Sequence, residues 1–264
     1  MGISPPQVVI LAGGMGTRLS EETNLRPKPM VDIGEKPILW HIMKSYSHFG
    51  FTNFVICLGY KGYLIKEYFS HYFMHQSDVT LDLSSNKMIY HNTHSENWTI
   101  TLADTGLESM TGARLKRIQK YITGDTFMMT YGDGVSDLSI SDLLRFHQSH
   151  QKWVTLTAVQ PTGKFGALGL NKNGDVAQFK EKIKGDGQWV NGGFFVLNTR
   201  IFDYIADDPM AIWEQEPLEK LSSEGQVQAY KHHGFWRPMD TLKDKLDLAH
   251  MVQSRQAPWM LWDR

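Results

Sequence analysis

Apolar positions in this chain follow two rhythms that alternate along its length. The run Val8-Val9-Ile10-Leu11-Ala12 is continuous, rich in β-branched types and too short for a globular helix, which predicts a strand covered on both faces. Ile38, Ile42, Tyr46 and Phe49 then recur at helical spacing with Leu39 and Met43 beside them, and Gly50 marks the stop. Residues 53–58 repeat the strand pattern up to Gly59, and residues 64–73 read as another helix. Strand, helix, strand, helix implies right-handed crossovers on a parallel sheet.

Beyond this point the pattern predicts a pair of strands at 87–94 and 98–103, then a helix from Thr111 with Leu115, Ile118 and Ile122 on one face. Its other face carries Arg114, Lys116, Arg117 and Lys120, which reads as a solvated surface, although Arg114 in the first turn is placed to meet an anion. A strand at 127–131 ends in Gly132-Asp133-Gly134, a helix follows at 140–150, and residues 154–159 alternate as a half-buried strand. Residues 165–170 and 176–179 form a small antiparallel segment joined at Asn173-Gly174. Asn191-Gly192-Gly193 interrupts an apolar strand, a place where a ligand can approach the backbone closely. A helix runs from Trp213-Glu214-Gln215-Glu216-Pro217 to Ser222, and residues 226–230 return as a strand. The last helix turns Leu242, Leu246, Ala249 and Val252 inward, and the apolar tail Pro258-Trp259-Met260-Leu261-Trp262 docks on its own domain or on a neighbouring subunit. The class is α/β, with residues 1–264 as a single domain.

Composition narrows the function. The 264 residues are 41% hydrophobic, enough for a sizeable core, and 27 Lys plus Arg nearly balance 28 Asp plus Glu. No global field therefore attracts nucleic acid or an anionic membrane, so any anion binding must be local. Cys57, the sole cysteine, lies in an apolar run and reads as a small buried hydrophobe. The opening Met-Gly-Ile-Ser-Pro-Pro lacks myristoylation and signal-peptide patterns, and no apolar run reaches membrane-spanning length, so a cytoplasmic location is expected. None of the 11 histidines forms a recognisable zinc spacing.

The candidate chemistry starts after the first strand. Gly13, Gly14 and Gly16 allow positive φ and close approach of backbone N–H groups to phosphate, Thr17 adds a hydroxyl, and Arg18 adds a planar fork. Lys28 sits between Pro27 and Pro29, which hold its segment extended. The letters match neither a Walker loop, which ends Gly-Lys-Ser/Thr, nor the G-x-G-x-x-G dinucleotide fingerprint. The plain alternative is a glycine turn with a surface arginine and lysine. Asp133, between two glycines at a strand's carboxyl end, is a metal ligand or a turn aspartate. Asp240 precedes a helix, but Thr241 and Asp244 satisfy the capping pattern one residue later, so Asp240 need not be the cap. Lys180, Lys182 and Lys184 are a solvated edge, or one of them neutralises a second anion.

Taken together, LAGGMGTRL, SEET, PKPM, GYKG with IKEYF, DTG with SMTG-ARLKR, TYGDG, FGAL, NGGFFVLN, WEQEPL and FWRPMDTLKDK resemble the sugar-1-phosphate nucleotidyltransferase family over nearly the whole chain. WEQEPL and FWRPMDTL point to its cytidylyl branch. The resemblance implies a Rossmann-like, mostly parallel mixed sheet flanked by helices, with a small antiparallel sugar-binding segment. It implies cytidylyl transfer from CTP to α-D-glucose 1-phosphate, yielding CDP-glucose and pyrophosphate, with Mg²⁺ as cofactor. At matching positions, Leu11, Ala12, Gly13, Gly14, Met15, Gly16, Thr17 and Arg18 would wrap base and phosphates, and Lys28 would hold the triphosphate. Ser109, Arg114 and Gly132 would touch the nucleotide, Asp133 and Asp240 would bind magnesium, and Lys182, Asn191 and Gly166 would hold the sugar phosphate. Arg18, Lys28 and Asp133 would be catalytic. Glu181-Lys182-Ile183 departs from the usual Glu-Lys-Pro, which loosens the backbone after the lysine. A homo-oligomer, with a hexamer among the arrangements, and a supply of CDP-sugar for cell-surface polysaccharide are also implied. Rival readings are a thymidylyl- or uridylyltransferase and a non-catalytic nucleotide-binding relative; a nicotinamide oxidoreductase would lack its fingerprint.

Overall fold

A computed structural model describes residues 5–16, 19–92, 94–161, 167–170, 176–180 and 188–263. The first apolar run forms strand β1 (Val8–Leu11), and α1 (Ile38–His48) carries the chain across to β2 (Asn53–Leu58). Helix α2 (Gly62–Ser70) and β3 (Thr99–Asp104) follow, then α3 (Thr111–Ile118), β4 (Thr126–Tyr131) and α4 (Ile140–Ser149). The second half supplies β5 (Val154–Val159), β6 (Val190–Asn198), α5 (Glu216–Ser223), β7 (Val227–His232) and α6 (Leu242–Gln253). These seven strands form one sheet in the order β7-β5-β6-β4-β1-β2-β3. Only β6 runs against its neighbours, pairing antiparallel with both β4 and β5. The mixed, mostly parallel sheet is the one expected.

Strand side chains alternate between opposite faces, so β1 feeds two cores. Val8 and Ile10 join Phe54, Ile56 and Met128 under α1, while Val9 and Leu11 join Val55, Met129 and Phe195 under α3 and α5. Cys57 lies in the second core, where burial pushes its thiol up to about 12 and leaves it a packing residue. The tail docks on its own domain: Trp259 is fully buried, stacked on Phe235 and edge-on to His41, while Trp262 packs against Trp40.

Three expectations fail. Strands 87–94 and 98–103 do not pair; Lys87–His91 pairs with Asp78–Asp82 in a separate ribbon, and β3 joins the main sheet parallel to β2. The turn of that ribbon supplies the missing signal, because the Asp82 carboxylate accepts from the backbone N–H groups of Ser84 and Ser85. The predicted helix at 64–73 divides at His71 into α2 and the short turn Tyr72–His75. Helix α6 is rotated from the expected face: Leu242 and Leu246 are exposed, and Leu248 is the buried leucine. Polar contacts set that rotation, since Asp244 and Asp247 pair with Arg237, and Lys245 pairs with Glu22. The small antiparallel pair exists as Ala167–Leu170 with Val176–Lys180, and its Asn173-Gly174 turn lies outside the described residues.

Candidate active site

From β1 the sheet grows through β2 and β3 to one side, while β4 is added on the other. The crevice beyond the carboxyl ends of β1 and β4 is therefore the topological switch point, where α/β sheets bind ligands. Leu11 and Tyr131 are register partners there, and Gly132 N–H donates to Leu11 O at 3.0 Å. A cavity of about 590 Å³ opens at this place, lined on one side by Leu11 to Gly14, Gly16 and Ser109, and on the other by Lys28, Asp133 and Asp240.

The glycine loop is built around an arginine. Arg114 is 4% exposed, and its guanidinium donates to Leu58 O, Thr105 Oγ1, Gly106 O, Gly13 O and Leu107 O at 2.8 to 3.2 Å. It thus ties the loop after β1 to the chain ends after β2 and β3. A Cβ on Gly13 would fall 2.2 Å from Arg114 Nη1, and one on Gly59 would fall 2.5 Å from the same atom. These two glycines make room for the guanidinium. Within the loop only Gly16 takes positive φ, at 64°, where a Cβ would crowd Thr23 and Lys28. Arg114 also lines the cavity where the resemblance has it touch the nucleotide, and its two Nη groups hold the loop's shape. Ser109 is buried beside it and accepts from Arg117 at 2.7 Å.

The opposite wall is acidic. Gly134–Ser136 pairs antiparallel with Trp236–Pro238, with Pro238 opposite Gly134, and Met239 N–H donates to Asp133 O at 2.8 Å. This two-stranded ribbon brings residues distant in sequence to one end, so Asp133 and Asp240 converge. The Lys28 ammonium lies between them, 2.7 Å from Asp133 Oδ2 and 3.0 Å from Asp240 Oδ1. Thr241 caps α6 in a reciprocal capping box with Asp244, as the sequence pattern implied. The Lys28 segment is not extended as its flanking prolines imply: Lys28–Met30 forms a short 3-10 turn, because the φ that proline fixes also suits the start of a turn, and the Lys28 stem is buried.

A third set of groups closes the cavity beside β6. Tyr131 donates its hydroxyl to Glu214 Oε1, and Thr111 donates to Glu214 Oε2 at 2.6 Å. Burial and then the Glu214 charge push the Tyr131 phenol above its ordinary value of 10.0, so it remains a donor. Asn191 Nδ2 lies 3.5 Å from the same hydroxyl, and its Oδ1 accepts from Gly193 N–H at 2.9 Å. Gly193 has φ of 79°, and a Cβ there would fall 2.4 Å from the Tyr131 ring. The glycine pair in β6 therefore admits Tyr131, and Trp236 Nε1–H donates to Gly192 O at 2.7 Å.

Of the residues singled out in the sequence, the loop from Leu11 to Gly14, Gly16, Lys28, Ser109, Arg114, Gly132, Asp133, Asn191 and Asp240 all line this cavity. Met15 is half exposed and does not line it. Thr17, Arg18, Gly166 and Lys182 lie outside the described residues. Tyr131, Thr111 and Glu214 were not foreseen; Glu214 was visible only as part of the WEQEPL motif. Two hard carboxylate oxygens converging on one point of positive charge fit a divalent cation such as Mg²⁺. Among the described residues no group of three or more His, Cys, Asp or Glu could enclose a metal, so other ligand positions would fall to water and substrate oxygens.

A family model described as nucleotidyl transferase matches residues 7–254. The chain is 55% identical over 258 residues to the glucose-1-phosphate cytidylyltransferase of Salmonella typhimurium, covering 97% of this chain and 100% of that one. It is 41% identical over 256 residues, with 97% and 100% coverage, to a probable glucose-1-phosphate cytidylyltransferase of Bacillus subtilis. Among solved structures, HddC from Yersinia pseudotuberculosis superposes with a TM-score of 0.66 at 23% identity, covering 94% of this chain and 100% of that one. An apo UDP-glucose pyrophosphorylase superposes with a TM-score of 0.67 at 15% identity, covering 95% and 99%; these two show the fold alone.

Proposed function

The chain belongs to the nucleotidyl transferase family, and from that premise we propose that its site transfers a cytidylyl group from CTP to α-D-glucose 1-phosphate. The products are CDP-glucose and pyrophosphate. The observation that carries this reading is the convergence of Asp133 and Asp240 on Lys28 across a cavity from the glycine loop. Near-complete coverage of the two cytidylyltransferases supports the choice of base and sugar.

A sugar phosphate is already ionised near neutral pH, so its oxygen attacks the α-phosphorus without a general base. One P–O bond forms as the bond to the bridging oxygen of the departing pyrophosphate breaks. Catalysis then consists of positioning and charge neutralisation. Asp133 and Asp240 are the residues that would hold Mg²⁺, which when bound offsets charge on both reacting phosphates. Lys28 and Arg18 neutralise the leaving diphosphate, while Lys182, Asn191 and Gly166 hold the sugar phosphate. The loop from Leu11 to Arg18, with Ser109, Arg114 and Gly132, receives the nucleotide, and Arg114 also sets the loop's shape through Gly13. The reading extends to a homo-oligomer acting in the cytoplasm and supplying CDP-sugar for cell-surface polysaccharide, on the strength of the motif resemblance.

The test is a panel of CTP, UTP, dTTP, ATP and GTP, each with glucose 1-phosphate and Mg²⁺, read as pyrophosphate release. Sustained release with CTP above all others is expected. Faster release with UTP or dTTP, or tight nucleotide binding with no release, would overturn the assignment.

A further inference from the structure

The Lys28 ammonium occupies the point that a cation shared by Asp133 and Asp240 would occupy. It is within 3.0 Å of an oxygen of each carboxylate, and an ammonium and a divalent ion cannot both sit there, since like charges at that distance repel strongly. The backbone and inner stem of Lys28 are held in place. The residue is 8% exposed, its carbonyl accepts from Val31 N–H at 3.1 Å, and its stem lies close to Gly16, where a Cβ would fall 3.2 Å from Lys28 Cβ. Only the outer methylenes can swing, within the same cavity that the glycine loop lines.

Building on the reading that these acids hold the metal, we propose that Lys28 is the resident counter-ion of the pair and that a divalent cation enters by exchange. The metal takes the carboxylates when a triphosphate is present to receive the displaced ammonium. Lys28 then moves from two carboxylates to phosphate oxygens, and at no stage does either anion set lack a positive partner. Without the phosphate chain, metal entry would strand a buried ammonium. The lysine thereby suppresses metal binding to the empty protein and ties it to nucleotide binding, and by linkage the metal favours the nucleotide by the same factor.

Removing a catalytic cation ordinarily impairs function, whereas here it should strengthen binding of the metal alone. Mn²⁺ is titrated into the protein without nucleotide, and the free ion is read by electron paramagnetic resonance. Lys28→Met is expected to bind Mn²⁺ at least ~10-fold more tightly than the wild type, a difference of about 1.4 kcal/mol. Lys28→Gln, which keeps a neutral polar end, is expected to show the same gain, so the test survives a folding defect in the methionine variant. Equal or weaker Mn²⁺ binding by both folded variants would overturn the exchange. The double variant Lys28→Gln with Asp240→Asn should lose the gain. If it keeps the gain, the carboxylates are not the metal site, and the exchange falls together with the metal assignment. Loss of the gain alongside a failed nucleotide panel would instead leave the exchange standing and remove only the proposed reaction.

Discussion

The two walls of the cavity are made on opposite principles. On the glycine-loop wall, Arg114 is buried and its two Nη groups meet five oxygens, four of them backbone carbonyls, so these donors are spent on the protein's own chain. On the acidic wall, two carboxylates about a third exposed both reach the Lys28 ammonium at the edge of the cavity. One wall is a device of shape and the other a device of charge. The difference teaches that cavity-lining residues of similar appearance in sequence, such as Arg114 and Lys28, should fail in different ways when replaced.

The largest expected effect lies on the acidic wall. Asp240→Asn should lower turnover by about 10²-fold or more, as loss of one electrostatic contact to a transition state commonly does. Its unfolding midpoint in urea should stay near that of the wild type, because the side chain is 30% exposed and the shape is kept. An equal loss of stability and turnover would break the contrast between the walls.

Arg114→Met should reverse that pattern. It strands five buried or half-buried acceptors, and a cost of about 3 kcal/mol in urea unfolding is expected. KM for nucleotide should rise as Gly13 relaxes, while Mn²⁺ affinity measured with Lys28→Gln in the background should not change. A variant that kept full stability and lost only turnover would move Arg114 to the charge side of the comparison.

Tyr131→Phe gives the smallest effect and probes the junction of the walls. Removing one hydrogen bond to Glu214 should cost about 1 kcal/mol. The sign of its pH dependence follows from the raised phenol. Above pH 10 the unfolded chain loses this proton before the folded one does, so wild-type stability should fall with rising pH there. In the phenylalanine variant that decline should be shallower, as read by urea unfolding between pH 9 and about 11.

Much of this was legible in the letters. The continuous run at Val8 identifies its strand and its burial together; the alternation at residues 154–159 identifies a strand but not its burial, because neighbours on both edges and packing on both faces cover Thr155 and Thr157 as well. The α6 N-terminus was legible because Thr241 and Asp244 cap locally. Local rules failed where a distant partner decided. Leucines 242 and 246 looked like the inward face of α6, yet Arg237 and Glu22 draw Asp244, Asp247 and Lys245 toward the body and rotate the helix. The glycines of the loop read as space for a ligand, and Gly13 turned out to be space for Arg114, a residue about a hundred positions away.

Sequence by itself determined the βαβ order, because that rests on short-range periodicity, while residue type and motif resemblance singled out the glycine loop and the two acids as candidates. Tertiary structure alone decided that Asp133 and Asp240 meet over Lys28 and that Glu214 reaches Tyr131 and Thr111. Those meetings join residues 83 to 212 positions apart, and only strand pairing and packing of the two cores bring such residues within hydrogen-bond reach.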